Sequence, residues 1–418
     1  MTAPEGSHVR AAIADAHRRE WAFVLAATVR VTRDLDVAQE CVQDAYVTAL
    51  ETWTRQGIPR NPGAWLTTAA RNRARDALRR SRTLRAKLAL LLVPDAGQSG
   101  PGPAAIDDDR LRLVFTCCHP ALAREAQVAL TLRLVCGVST AQIARAFLVS
   151  EPTMAARVTR AKKKIATARI PYRVPDLAEL PDRLDAVLTV VHLLYTTGHT
   201  DPVGTDLVRA DLADLAIGLA RMLGELMPDE REVRGLLALL LLTDARRTAR
   251  TAPDGSLVLL EDQDRALWDR AKISEGTDLV LSALRGGPPG RFALQAAIAA
   301  VHAEAPRYAD TDWPQLLQLY DWLLAAWRSP VVALNRAVVV SMISGPAAAL
   351  AEIEELERDG KLAGYHYLPA AKADLLRRLG RTQQARLAYR EALDLAENAA
   401  ERAFLARRAE QMGGQVRA

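Results

Sequence analysis

The stretch that decides the fold is Ser139-Thr140-Ala141-Gln142-Ile143-Ala144-Arg145-Ala146-Phe147-Leu148-Val149-Ser150-Glu151-Pro152-Thr153, which continues to Lys164 through Arg157, Arg160, Lys162 and Lys163. Ser139 followed by Gln142 is a capping box: each side chain satisfies a backbone N–H that the first helical turn leaves free. Ile143, Ala144 and Phe147 form the apolar side of that short helix. Leu148 and Val149 make a turn, Ser150 caps a second helix, and Pro152 sits in its first turn, where a missing N–H costs nothing. A short helix, a tight turn and a basic helix spell a helix-turn-helix. Its second helix enters the major groove, with N-terminal residues against base edges. Glu151, Thr153, Ala156 and Arg157 are therefore the candidate base readers, and Arg160, Lys163 and Lys164 the candidate phosphate contacts. An ordinary αα-hairpin would share the spacing but does not require the cations.

Upstream, Ala126–Leu134 is an apolar-periodic helix (Val128, Leu130, Leu132, Leu134), and Cys136-Gly137-Val138 turns the chain into the motif. Further upstream lies Pro94–Asp109, PDAGQSGPGPAAIDDD. It has no apolar period and is rich in Gly and Pro, so it reads as a flexible linker. Before it, Asp36 is expected to begin a helix, with Gln39 closing a capping box. Val42, Ala45, Tyr46, Ala49, Leu50 and Trp53 then form a buried stripe at helical spacing. Asp36, Glu40, Gln43 and Asp44 lie off that stripe and make an acidic face, suited to a basic protein partner or simply to solvent. After a turn at Gly57–Gly63, Arg71, Arg73, Arg75, Arg79, Arg80, Arg82, Arg85 and Lys87 crowd one helix against the single acid Asp76. Trp65, Leu66, Ala69, Ala70 and Leu78 supply its buried side. Such a helix is suited to a phosphate backbone, and Arg55, Asn61, Trp65 and Asn72 add hydrogen-bonding and stacking capacity near its start.

Charge is divided unevenly along the 418 residues. Met1–Arg173 holds 27 basic and 15 acidic side chains, a net of +12; the remainder holds 28 and 35, a net of −7. A polyanion partner is expected for the first part only. Leu, Ala, Arg and Glu dominate, and no run alternates β-branched with polar residues, so the expected class is all-α. Four cysteines do not make a disulfide framework in a chain this long. There is no signal-peptide pattern, and the longest apolar run, Leu236–Leu242, is too short to span a bilayer. A soluble, cytoplasmic protein without a membrane partner is expected.

Enzymatic signatures are missing. No phosphate-binding loop, dinucleotide fingerprint or nucleophile elbow occurs, so neither catalytic residues nor a cofactor is expected. Cys117, Cys118 and His119 are adjacent and would point about 100° apart on a helix, which does not suit one metal ion. Asp262-Gln263-Asp264-Arg265 is read as a loop that hydrogen-bonds neighbouring helices, anchored by Trp268. Near the C-terminus, Ala349, Ile353 and Leu356 recur as Ala385, Tyr389 and Ala392, with Gly345 and Gly380 ahead of them. This 36-residue spacing resembles a tetratricopeptide (TPR) repeat, although two unrelated helix pairs would give it too.

Taken together, these strings resemble an extracytoplasmic-function (ECF) sigma factor. Asp36–Arg80, with Asn61-Pro62-Gly63-Ala64-Trp65-Leu66 and the helix Ala70-Arg71-Asn72 to Asp76, is similar to region 2; Ala126–Ile165 is similar to region 4. Phe115-Thr116-Cys117-Cys118-His119-Pro120, Gly235–Arg250, Asp262–Arg265, Leu294–Ala297 and Leu334–Ala337 resemble a subgroup with a long C-terminal helical domain ending in TPR-like repeats. Tyr195-Thr196-Thr197-Gly198-His199 departs from that subgroup's usual Phe-Asn-Glu-Gly-Tyr, which puts any role of the Asn or Glu in doubt here. The resemblance implies a region 2 domain at 8–93, a linker at 94–109, region 4 at 110–170, a regulatory helical domain at 175–325 and repeats at 326–412. It implies core RNA polymerase as partner, through the β′ clamp helices and the β flap, together with promoter DNA. Asp36, Glu40, Gln43 and Asp44 become clamp contacts. Arg55, Asn61, Trp65, Arg71, Asn72, Arg73, Arg75, Arg79 and Arg80 become −10 contacts, and Glu151, Thr153, Arg157, Arg160, Lys163 and Lys164 become −35 contacts. An intramolecular contact between the C-terminal domain and the sigma core is expected in place of a separate anti-sigma protein. A stand-alone helix-turn-helix regulator with a TPR-type sensor is the alternative.

Overall fold

A computed structural model describes residues 3–88, 109–147, 149–176, 178–200 and 207–414. Those residues form 18 α-helices and no strand, the expected all-α class; one isolated bridge joins Thr251 to Leu257. The chain divides into two compact units, Met1–Val190 and Val191–Ala418.

In the first unit, α1 (Ala3–Thr32), α2 (Leu35–Gln56) and α3 (Pro62–Leu88) pack on one another. The cap of α2 is Asp34, not Asp36: its carboxylate accepts from the N–H groups of Asp36 at 2.9 Å and Val37 at 3.0 Å. Leu35 is buried, which places the helix start two residues earlier than the capping-box reading. Val42, Ala45, Tyr46, Ala49 and Trp53 are buried as expected, but Leu50 is 44% exposed, at the edge of the face that α1 and α3 cover. Asn61 caps α3, accepting from the Ala64 N–H at 3.0 Å. Of the expected linker at 94–109, only Asp109 falls within the described residues, and it opens α4 (Asp109–Cys117).

After α4 come α5 (Arg124–Leu130), one π-helical turn at Thr131–Val135, α6 (Thr140–Ala146) and α7 (Glu151–Thr167). Of these elements the π-helical turn, together with α4, packs against α1, while α6 packs on α7 and α5 on α7 and the π-helical turn. The Trp21 indole donates to the Leu134 carbonyl at 3.0 Å, and the Tyr172 hydroxyl donates to the carbonyls of Ala26 at 3.1 Å and Asp109 at 3.2 Å. Gly137 is left-handed (φ +69°), and a Cβ there would stand 2.8 Å from His17 Cε1. Only glycine lets this turn approach α1 so closely. The expected first and second helical parts are therefore held side by side. Cys117 and Cys118 are buried, and burial pushes the Cys118 thiol up to about 12. The boundary between the units falls inside α8 (Leu180–His199).

The second unit continues through α9 (Ala210–Leu226), α10 (Arg231–Asp244), α11 (Arg270–Leu284), α12 (Arg291–Glu304) and α13 (Trp313–Ala326). Gly235 lets α10 and α12 touch backbone to backbone, since a Cβ there would lie 2.6 Å from Ala293 N. Glu232 on α10 receives the first N–H groups of α12, from Phe292 at 2.9 Å and Ala293 at 3.1 Å, so a carboxylate meets the positive end of that helix. Next are α14 (Pro330–Ile343), α15 (Pro346–Asp359), α16 (Tyr367–Arg378), α17 (Thr382–Leu395) and α18 (Ala399–Gly414). They share one apolar core, to which Ala349, Ile353, Ala385, Tyr389 and Ala392 all belong; Leu356 packs at its margin. No described helix is long and apolar enough to cross a membrane.

Candidate nucleic-acid interface

The helix-turn-helix is built by its caps. Ser139 and Gln142 satisfy each other: the Ser139 N–H donates to Gln142 Oε1 at 3.1 Å, and the Gln142 N–H donates to Ser139 Oγ at 3.3 Å. Ser150 Oγ accepts from the Thr153 N–H at 3.3 Å and pairs with the Thr153 hydroxyl at 2.8 Å. Met154, Val158, Ala161 and Ile165 bury one face of α7. Turning that face inward leaves Glu151, Thr153, Arg160, Lys163 and Lys164 exposed and Arg157 half-buried. The Arg157 guanidinium lies 5.9 Å from the Phe147 ring centroid, so the preceding turn orients it.

Lys162 does not join the outward row. Its side chain is only 10% exposed, and its ammonium donates to Asp36 Oδ1 and Gln39 Oε1, both at 2.7 Å. Sequence reading placed Lys162 among the presented cations and missed this contact. A signal was available: Lys162 stands four residues after Val158 and eight after Met154, in the row that α7 buries. Gln39, the other end of the contact, is itself buried. Arg183, also overlooked, is buried and donates to the Phe115 carbonyl at 2.6 Å.

On α2, Glu40, Gln43 and Asp44 are exposed with Asp36. The acidic face is not purely acidic once folded. Glu40 and Asp44 line an open groove of about 390 Å³ together with Arg73, Asp76 and Arg80 from α3. Arg73 donates to Asp44 Oδ2 at 3.2 Å and to the Thr48 hydroxyl. Two residues assigned to different partners by sequence thus meet in one ion pair. Elsewhere on α3, Arg75 donates to the Asn72 side-chain oxygen at 3.2 Å, and Arg79 lies 3.8 Å from Asp76 in a pair open to solvent. Trp65 packs edge-on to buried Trp53 at 5.6 Å. Arg71 is half-buried with its Nε enclosed and unpartnered. Arg55 is exposed at the end of α2. Asn61 faces solvent while its side-chain oxygen caps α3, leaving the amide NH₂ as its free donor. The side chains of Arg82, Arg85 and Lys87 lie outside the described residues.

Comparison with known proteins gives matches along most of the chain. Residues 16–83 match the family described as Sigma-70 region 2, and residues 112–165 match Sigma-70, region 4. Residues 183–284 match a family of unknown function (DUF6596). The uncharacterized protein R00370 of Rhizobium meliloti (strain 1021) is 45% identical over 387 residues, which cover 91% of each chain. No solved structure matches.

Proposed function

The chain belongs to the sigma-70 family of RNA polymerase sigma factors, non-enzymatic proteins that bind core polymerase and promoter DNA, and from that premise we propose how its surfaces divide the work. The observation that carries the proposal is α7: a helix capped by Ser150, buried on one side, with Arg157, Arg160, Lys163 and Lys164 on the other. In the proposed reading, Glu151, Thr153 and Arg157 read base edges of the −35 duplex, and the three cations beyond them grip phosphates. Asp36, Glu40, Gln43 and Asp44 on α2 engage the β′ clamp helices, while region 4 also touches the β flap. The arginines of α3, with Arg55, Asn61, Trp65 and Asn72, handle the −10 element, where a strand must be opened and a base flipped out.

We propose further that the region after α8 regulates this core from within the same chain. The net charge of −7 over Val174–Ala418 against +12 over Met1–Arg173 supplies the attraction, and the last five helices are the TPR-like part in this reading. Run-off transcription with core polymerase tests the whole reading. The full chain is expected to yield promoter-dependent transcripts, and a chain ending at Val190 is expected to yield a different amount. Cutting there follows the unit boundary and retains Arg183 with its bond to the Phe115 carbonyl. No specific transcript from either form overturns the sigma reading; equal yields overturn the regulatory one.

A further inference from the structure

Within the first unit, the helices that match region 2 and those that match region 4 are tied to each other at three places. Lys162 on α7 donates to Asp36 Oδ1 and Gln39 Oε1 on α2, both at 2.7 Å. The Trp21 indole on α1 donates at 3.0 Å to the carbonyl of Leu134, in the π-helical turn ahead of the helix-turn-helix. Tyr172 bridges α1 and the start of α4 through the carbonyls of Ala26 at 3.1 Å and Asp109 at 3.2 Å. Beside that bridge, the Arg30 guanidinium lies 3.6 Å from the Asp109 carboxylate.

A body tied in this way cannot serve both promoter elements at once. The unit holds 190 residues, and a compact body of that length has a radius of gyration of about 16 Å and is about 40 Å across. Elements at −10 and −35 lie about 25 base pairs apart, which is about 85 Å of duplex at 3.4 Å per pair. The outer row of α7 stays exposed in the tied form, so this form does not cover the base readers. What it engages is the polymerase side. Lys162 holds the carboxylate of Asp36, one of the four residues assigned to the clamp in the proposed reading. The Asp36 side chain is 67% exposed and that of Lys162 only 10%. A cation arriving from solvent therefore reaches the carboxylate without first displacing the lysine.

We propose that the first unit is a closed form of the sigma core, latched by Lys162 on Asp36 and Gln39, and that core polymerase opens it by offering its own cation to Asp36. Promoter DNA alone does not release the latch, because Lys162 is not in the row that faces DNA. The free chain then carries its −35 reader at a spacing that fits no promoter, and reading begins only once polymerase is engaged. This inference rests on the sigma reading given above. It concerns the first unit alone and is independent of what the second unit regulates.

Pulsed dipolar spectroscopy on the full chain tests it, with spin labels at Ala11→Cys on α1 and Ala166→Cys on α7, both exposed positions, in a Cys136→Ser background. The free chain is expected to give a short distance, within the roughly 40 Å of the closed body. A promoter duplex alone is expected to leave that distance unchanged, and core polymerase to lengthen it beyond that limit. A long distance in the free chain, lengthening by the duplex alone, or a short distance kept on polymerase overturns the proposal. Failure of the chain to bind core polymerase instead overturns the sigma reading, and the proposal with it. Affinity for core polymerase is the second readout. Lys162→Met is expected to bind about five- to thirtyfold more tightly, because weakening the latch raises the fraction of chains that are open. Trp21→Phe, which removes the indole donor and keeps an aromatic ring, is expected to shift affinity the same way. Arg124→Met, at an exposed cation on α5, is expected to leave it unchanged. Parent-like affinity in both Lys162→Met and Trp21→Phe overturns the latch, as does an equal gain in Arg124→Met. If one of the two fails to fold, the other decides.

Discussion

Replacing Lys162 with Met tests the contact that ties α7 to α2. Methionine keeps most of the stem that packs against the buried face and removes only the ammonium. Two bonds are lost, and they differ in worth. Asp36 is 67% exposed, so its ion pair contributes about 0.2–1 kcal/mol. Gln39 is 8% exposed, and without the ammonium its side-chain oxygen is left buried and unpaired, a cost of about 1–3 kcal/mol. Retained stem packing offsets part of this, so the net loss is about 1–2 kcal/mol. For a unit of this size each kcal/mol lowers Tm by about 2–4 °C, so a drop of roughly 2–8 °C is expected. Urea unfolding followed by circular dichroism gives the free-energy change, provided the slope is unchanged. The double variant Gln39→Met/Lys162→Met sharpens the test. Removing both partners of a buried bond is nearly neutral, so it should return to within about 0.5 kcal/mol of the parent beyond the Asp36 loss. If the two single losses simply add, the contact does not carry the energy assigned to it.

Further expectations can be checked with equally direct measurements. Arg157→Ala should relax −35 specificity by about 1–3 kcal/mol, read as the ratio of holoenzyme transcription from matched and mismatched promoters. Gly137→Ala forces a Cβ into the left-handed region at a cost of about 1–2 kcal/mol, before any push against His17; a lower urea midpoint would register it. Burial holds His192 and His302 down at about 4, below the ordinary 6.5. The unfolded chain therefore takes up protons first, so their stabilising contribution is complete above about pH 6.5 and is lost as the pH falls toward 4. Urea midpoints across that window should fall for the parent and fall less steeply for His192→Phe.

What could be read from sequence was local. The two caps of the helix-turn-helix join residues three apart, and Ser139–Gln142 and Ser150–Thr153 fold as their spacing dictates. The exposure of Glu40, Gln43 and Asp44 on α2 was legible too, since a helical period is enough to separate them from Val42, Ala45 and Ala49, but the cations that pair with this face were not. Asp36 was a harder case: Asp34 and Asp36 both suit a cap, and only the burial of Leu35 chooses between them. Leu50 continues the apolar stripe by period yet is left 44% exposed, because stripe width is set by the helices that cover it. Lys162 with Gln39, Arg73 with Asp44, and Arg183 with the Phe115 carbonyl are separated by tens of residues or more, and no spacing rule reports such pairs. The one-letter code marks Asn61 as a polar residue near a basic helix; it takes the fold to show that its oxygen is occupied in capping.

The inward turn of Lys162 also limits how firmly α7 can hold DNA by itself. Each phosphate that a protein cation neutralises releases condensed counterions, and the binding constant falls with salt at about 0.9 power per phosphate. With Lys162 held by Asp36 and Gln39 and Arg157 turned to base edges, three cations remain for phosphates: Arg160, Lys163 and Lys164. Their combined exponent is roughly 2.7, so a fourfold rise in salt weakens this helix about 40-fold. In the ionic strength of a cell such a grip is transient, and lasting residence on a promoter must come from the polymerase that holds the helix against it.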